Sequence, residues 1–220
     1  SDTFASIERL DTVTGVRKKI AGAPVPRASF ITDAEGRLRF AQGLNVENEV
    51  ELYQMPAEGG DWRLLHAQSG SGVRMFALGF APDGRSAYLQ VSRREGPDAI
   101  ERLDLESGER SEVYRHARRD PIGVIRTLDG RAVIGVQVRD PQLQAHYFEP
   151  EHPEARLRQS LAAAFKGHDV LITSATEDGQ KAILYVYSDR NPGEYFLFDR
   201  STKHARHVGS RGRSLMPDQL

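Results

Sequence analysis

The pentapeptide Ile7-Glu8-Arg9-Leu10-Asp11 returns letter for letter as Ile100-Glu101-Arg102-Leu103-Asp104, 93 residues later. The related run Tyr195-Phe196-Leu197-Phe198-Asp199 follows 95 residues after that. Recurrence at a fixed distance means that the chain is built from copies of one unit, which excludes most single-copy folds. Half of each interval is about 47 residues, and the half-way points carry Val50-Glu51-Leu52-Tyr53-Gln54 and Ala145-His146-Tyr147-Phe148-Glu149. A second signature keeps step with the first. Turn glycines stand at Gly36, Gly84, Gly130 and Gly179, spaced by 48, 46 and 49 residues, each directly after an Asp or Glu. Gly, Asp and Asn tolerate the left-handed backbone of tight turns, so each of these sites predicts a hairpin.

Each period divides into four strands. The second unit predicts strands over 28–31, 38–42, 50–54 and 62–66, and the third over 75–81, 86–92, 99–105 and 110–116. The fourth begins with strands over 124–127, 132–138 and 144–148, and the fifth holds 170–175, 181–188, 194–199 and 205–208. A four-stranded repeat of this length is the blade of a β-propeller. A sandwich would not keep one strand-turn signature in register across five units, and solenoid repeats are shorter. One helix is predicted over 154–165, with Leu157, Leu161 and Ala164 at helical spacing, replacing or preceding an outer strand of the fourth blade. The expected fold is therefore all-β: a partial propeller of about four and a half blades. A half blade covers 1–22, and blades cover about 23–68, 69–118, 119–167 and 168–215. Either the two-strand N-terminal piece closes a small five-blade ring, or the chain is part of a larger one. Open blade edges predict self-association into a homo-oligomer.

Composition narrows the function classes. Lys+Arg 30 against Asp+Glu 31 gives a net charge of −1, which offers no basic field for a phosphate backbone, so no nucleic-acid partner is expected. No run approaches the roughly 18 apolar residues of a spanning helix, so a soluble chain with no membrane partner is expected. Zero cysteines exclude disulfides and thiolate chemistry, and leave cytoplasm and periplasm equally open. Ser1-Asp2-Thr3-Phe4 has no signal-peptide character.

Catalytic motifs are lacking. No G-x-S-x-G elbow occurs; Ser69-Gly70-Ser71-Gly72 and Gly209-Ser210-Arg211-Gly212 have the wrong spacing and read as inter-blade loops. The seven histidines form no H-E-x-x-H pair, and no glycine-rich phosphate loop is present, so neither metal nor cofactor is expected. The paired carboxylates of a glycosidase would project from inner strands, and the predicted inner strands carry neither Asp nor Glu. These readings oppose an enzyme contained in this chain alone. The loops joining second to third strands are charged, at 45–49, 93–95, 139–140 and 189–191. Arg94, Glu95, Asp189 and Arg190 are the candidates to face a substrate or a partner domain. Trp62 and Tyr53 are expected to pack between blades.

The segments ELYQMPAEGGDWRLL, IERLDLESGERSEV and above all SDRNPGEYFLFDRSTKHARHV, with its S-D-x-x-P-x-x-Y-x-L-x-D pattern, resemble the N-terminal propeller of prolyl oligopeptidase family serine peptidases. Within that family the likeness is to bacterial dipeptidyl aminopeptidase/acylaminoacyl-peptidase proteins, and it runs from about Phe4 to His207. The resemblance implies a seven- or eight-bladed propeller capping an α/β-hydrolase domain with a Ser-Asp-His triad, which cuts short peptides. No position here matches the triad, so no catalytic residue carries over. In dipeptidyl peptidase relatives, propeller carboxylates hold the substrate's amino terminus, which makes Glu95 a candidate. The resemblance implies a non-catalytic fragment that gates peptides to a hydrolase domain outside this chain. The alternative is a free-standing binding or scaffold propeller that mediates protein interactions.

Overall fold

The computed structural model describes residues 4–211; the last positions of the expected final blade, 212–215, and Gly212 of the expected loop lie outside them. Strands β1 (Ser6–Leu10) and β2 (Arg17–Gly22) form an antiparallel pair. Strands β3 (Ser29–Thr32), β4 (Leu38–Leu44), β5 (Val50–Gln54) and β6 (Arg63–Ala67) form a sheet in chain order. After the one-turn helix α1 (Gln68–Ser71), β7 (Met75–Phe80), β8 (Ser86–Val91), β9 (Ala99–Asp104) and β10 (Arg110–Arg115) make the next. A three-stranded sheet holds β11 (Gly123–Arg126), β12 (Val133–Arg139) and β13 (Leu143–Tyr147), and helix α2 (Pro153–Ala164) follows it. The last sheet is β14 (Asp169–Ala175), β15 (Lys181–Tyr187), β16 (Glu194–Asp199) and β17 (His204–Ser210). Each sheet is an up-and-down meander of chain-adjacent strands, the topology of a propeller blade. The chain divides into two compact units through the three-stranded sheet. One takes the chain through Val124 with Val136–His146; the other takes Ile125–Gly135 and the chain from Tyr147 onward.

The turns explain why the repeat is visible in the sequence. Gly36, Gly84, Gly130 and Gly179 all have left-handed backbone, φ +74°, +66°, +75° and +64°. Each N–H donates to the carbonyl three residues earlier, at 2.9–3.1 Å. In three of the four, the acid before the glycine accepts from the N–H two residues on: Asp83 from Arg85, Asp129 from Arg131 and Asp178 from Gln180. In the first, Asp33 at the turn's start does this work, accepting from the Arg37 N–H and the Arg37 guanidinium. Partial burial pushes the Asp33 carboxyl up, but these donors outweigh it and hold it below the usual carboxylate range.

The IERLD copies end in a second kind of turn. Oδ1 of Asp11, Asp104 and Asp199 accepts from the backbone N–H groups two and three residues on. The left-handed position that follows holds Gly15 at φ +72°, Gly108 at +76° and, in the last copy, Lys203 at +55°. A side chain costs about 1–2 kcal/mol there, less the entropy glycine loses on folding. Lys203→Gly is therefore expected to stabilise the protein by about 0.5–1 kcal/mol, read as a higher urea midpoint.

Apolar alternation buries one core in each unit. Phe40, Leu52, Met75, Leu89 and Leu103 centre the first, where the Phe40 and Phe80 rings stack at 5.4 Å. Ala182, Leu184 and Val186, every second residue of β15, centre the other with Leu128, Leu161 and Phe198. Burying each large side chain contributes roughly 1.5–3 kcal/mol. A polar bridge joins β4 to β7: Gln42 Oε1 accepts from the Ala77 N–H at 2.7 Å, and its Nε2 donates to the Ala77 carbonyl at 3.4 Å. Gln42→Leu leaves both groups of Ala77 without that partner and is expected to cost about 1–3 kcal/mol, measurable by denaturant unfolding and by faster amide exchange at Ala77. The Trp62 indole N–H donates to the Gly22 carbonyl of β2 at 2.9 Å, while its ring lies 6.3 Å from Phe30 of β3, in the sheet that Trp62 leads into.

Three expectations are revised. Residues 68–71 form a helical turn closed by left-handed Gly72, where a plain loop was expected, so the described residues hold two helices. Gly209 and Ser210 belong to β17, because they pair with Tyr195 and Glu194 and the Arg211 N–H reaches the Gly193 carbonyl. Helix α2 does follow three strands, but its Leu157 and Leu161 pack on β15 and β16 of the next sheet.

Candidate functional site

The charged loops are held by their own backbones and by neighbouring arginines. In the β8–β9 loop, the Arg93 guanidinium turns back onto Glu101 at 2.8 Å and Glu112 at 2.9 Å. The Glu112 carboxylate, with Glu101, raises the Arg93 pKa further. Arg93 is thus spent on the sheet, while Arg94 and Glu95 stay exposed. The Arg115 side chain donates to the Glu95 carbonyl at 2.5 Å and the Pro97 carbonyl at 3.0 Å, which fixes the loop from beneath. Left-handed Gly96 lets that happen, since a Cβ there would lie 2.8 Å from Arg115 Nη2. Asp140, in the β12–β13 loop, is held by Arg118 at 2.9 Å. Asn45, in the β4–β5 loop, accepts from the Glu47 and Glu49 N–H groups.

The β15–β16 loop, which presents Asp189 and Arg190, is the most elaborately built. The Ser188 N–H donates to the Asn191 carbonyl, the Arg190 N–H to Ser188 Oγ, and the Gly193 N–H to Asn191 Oδ1. Tyr185 lies across it, its hydroxyl donating to the Pro192 carbonyl at 2.6 Å and its ring near Tyr187 and Tyr195. Gly193, at φ +123°, sits under that ring. Asp189 and Arg190 are exposed. Neither pair of candidates has an ion-pair partner among the described residues, so each loop displays one cation and one anion on a hydrogen-bonded backbone. The role of Tyr185 escaped the sequence reading, because its partners lie seven and eight residues downstream and meet it only once the hairpin closes.

Two neighbouring features bear on chemistry. Tyr53, expected to pack, donates to Glu51 at 2.7 Å, and burial with that carboxylate pushes its pKa up to about 12. The expected absence of acids from inner strands fails at one place: β14 starts at Asp169, whose backbone pairs with Tyr187. It is a single half-buried carboxylate, without the facing partner that a two-carboxylate mechanism uses among the described inner strands. Among the described residues no three His, Asp or Glu side chains converge to hold a metal ion, and no helix is long and apolar enough to cross a membrane.

Meander sheets repeating at this interval, with stiff charged loops between their second and third strands, define propeller blades. Comparison with known proteins agrees. No family model matches the chain. Over 195 residues, 89% of its length, it is 24% identical to dipeptidyl aminopeptidase BIII of Pseudoxanthomonas mexicana, and it spans 28% of that protein. Prolyl oligopeptidase B from Galerina marginata superposes with a TM-score of 0.56 at 11% identity, over 98% of this chain and 33% of that one. TolB from Acinetobacter baumannii superposes at 0.52 and 17% identity, over 93% and 49%. The chain resembles the propeller portion of prolyl oligopeptidase family peptidases.

Proposed function

We propose that this chain is the non-catalytic propeller part of a serine oligopeptidase, and that it controls which peptides reach an α/β-hydrolase domain outside these residues. The observation that carries this reading is the similarity to a dipeptidyl aminopeptidase across nearly the whole chain. The mechanism is exclusion: a narrow vestibule rimmed by charge admits extended peptides and refuses folded proteins. Blade cores suit that task because hydrogen-bonded meanders are stiff, and the loops need only present charge. Arg94 and Glu95 on one loop, and Asp189 and Arg190 on another, contact either the hydrolase domain or the charged ends of a peptide. Glu95 is the carboxylate suited to an amino terminus.

Sequencing the reading frame past the codon for Leu220 tests the assignment. A nucleophile elbow followed by Asp and His supports it. A frame without them refutes it and leaves a binding propeller. In the whole protein, Glu95→Gln should raise KM for short peptides with kcat little changed if Glu95 holds the amino terminus. An unchanged KM removes that role from Glu95.

A further inference from the structure

A hollow of about 430 Å³ lies between α2 and the β16–β17 hairpin, within the volume range of small-ligand sites. Leu157, Leu161, Ala164 and Phe198 give it apolar walls; Arg156, Arg200 and Lys203 line it with cations, and Glu151 lines it with a carboxylate. Two of the cations are already committed, Arg156 to Glu151 and Arg200 to Glu154 at 2.5 Å. Lys203 has no ion pair among the described residues. It is also the residue that stands in left-handed backbone where the two earlier copies of the same turn carry glycine. Strained backbone kept against an available glycine points to a use for the side chain. An unpaired ammonium beside an apolar hollow matches one chemistry, an anion attached to a hydrocarbon body.

We infer that this hollow binds a carboxylate carried on an apolar body, either the C-terminal residue of a peptide or a free medium-chain acid. No residue of the charged loops lines the site, and the inference stands whether or not the chain serves a peptidase. The apolar body fills the space over Leu157 and Ala164, the apolar lining residues that are not buried, and Lys203 supplies the counter-charge.

The test is a titration of the full chain, followed by NMR, with octanoate, with N-acetyl-Ala-Leu, and with the C-terminal amide of the same dipeptide. Binding of either acid supports the site, and which of the two binds more tightly identifies the source. The amide should bind about tenfold more weakly than the acid. Lys203→Gly should weaken the acid by about tenfold while raising the urea midpoint, a combination that a purely structural lysine would not produce. Ser160→Trp, an exposed position on the hollow's wall, should block binding and leave the circular dichroism unchanged. Saturation by neither acid, equal affinity for acid and amide, or an unaltered affinity in Lys203→Gly overturns the inference.

Discussion

Gly193→Ala is expected to destabilise the protein by about 3–5 kcal/mol, combining strain in a glycine-only region of the backbone with overpacking. The new Cβ would lie 2.1 Å from Tyr185 Cε2 and 2.3 Å from Tyr185 Cζ and its hydroxyl oxygen. Such overlap forces the ring to leave, and the ring's departure breaks its 2.6 Å bond to the Pro192 carbonyl. A loss of this size is a large fraction of a domain's stability, so urea unfolding should show it as a collapsed midpoint. Combining Gly193→Ala with Tyr185→Ala separates the causes. The double variant should be less destabilised than the two single losses added together, because the clash disappears while the backbone strain at φ +123° remains. Additive losses would mean that the ring and the glycine are not in contact.

Glu154→Leu is expected to cost about 2–4 kcal/mol for a different reason. One Glu154 oxygen accepts from the Leu128 N–H at 2.9 Å and the other from Arg200 at 2.5 Å, beneath the first turn of α2. Leucine matches the volume but leaves Leu128, itself buried, with an unsatisfied N–H, and leaves Arg200 without its counter-charge. Arg200 is partly exposed, so water recovers some of its loss, which keeps the cost below that of a fully buried pair. Glu154→Gln retains an acceptor for Leu128 and should recover about half of the loss. Thermal unfolding of both variants checks the order, and equal losses would place the whole cost on the charge.

What the sequence shows and what it hides both follow from the repeat. Strands and turns are legible because they depend on local chemistry: an Asp that caps a turn and a glycine in left-handed backbone recur wherever the turn recurs. Burial is not local. Ile100 and Leu103 of the second IERLD copy are 0% and 2% exposed, whereas Leu10 of the first is 50% exposed. Identical letters meet different neighbours, since β9 lies between β8 and β10 while, among the described residues, β1 pairs with β2 alone. For the same reason the extent of α2 is readable from its spacing and its packing on the next sheet is not. The four candidate loop residues are legible as charges in loops. That Arg93, next to Arg94, is paired with Glu101 and Glu112 depends on strand register, which one chain's pattern does not encode.

The most direct test of the proposed gating role is peptide cleavage by the protein that the complete reading frame encodes. A series of peptides would share one scissile site and increase in length, alongside a folded domain displaying the same site on a surface loop. The exclusion mechanism predicts rapid cleavage of the short peptides, a steep fall in kcat/KM with length, and no cleavage of the folded domain until it is unfolded. Cleavage of the folded domain as fast as of the short peptides, or no peptide cleavage at all, would contradict it.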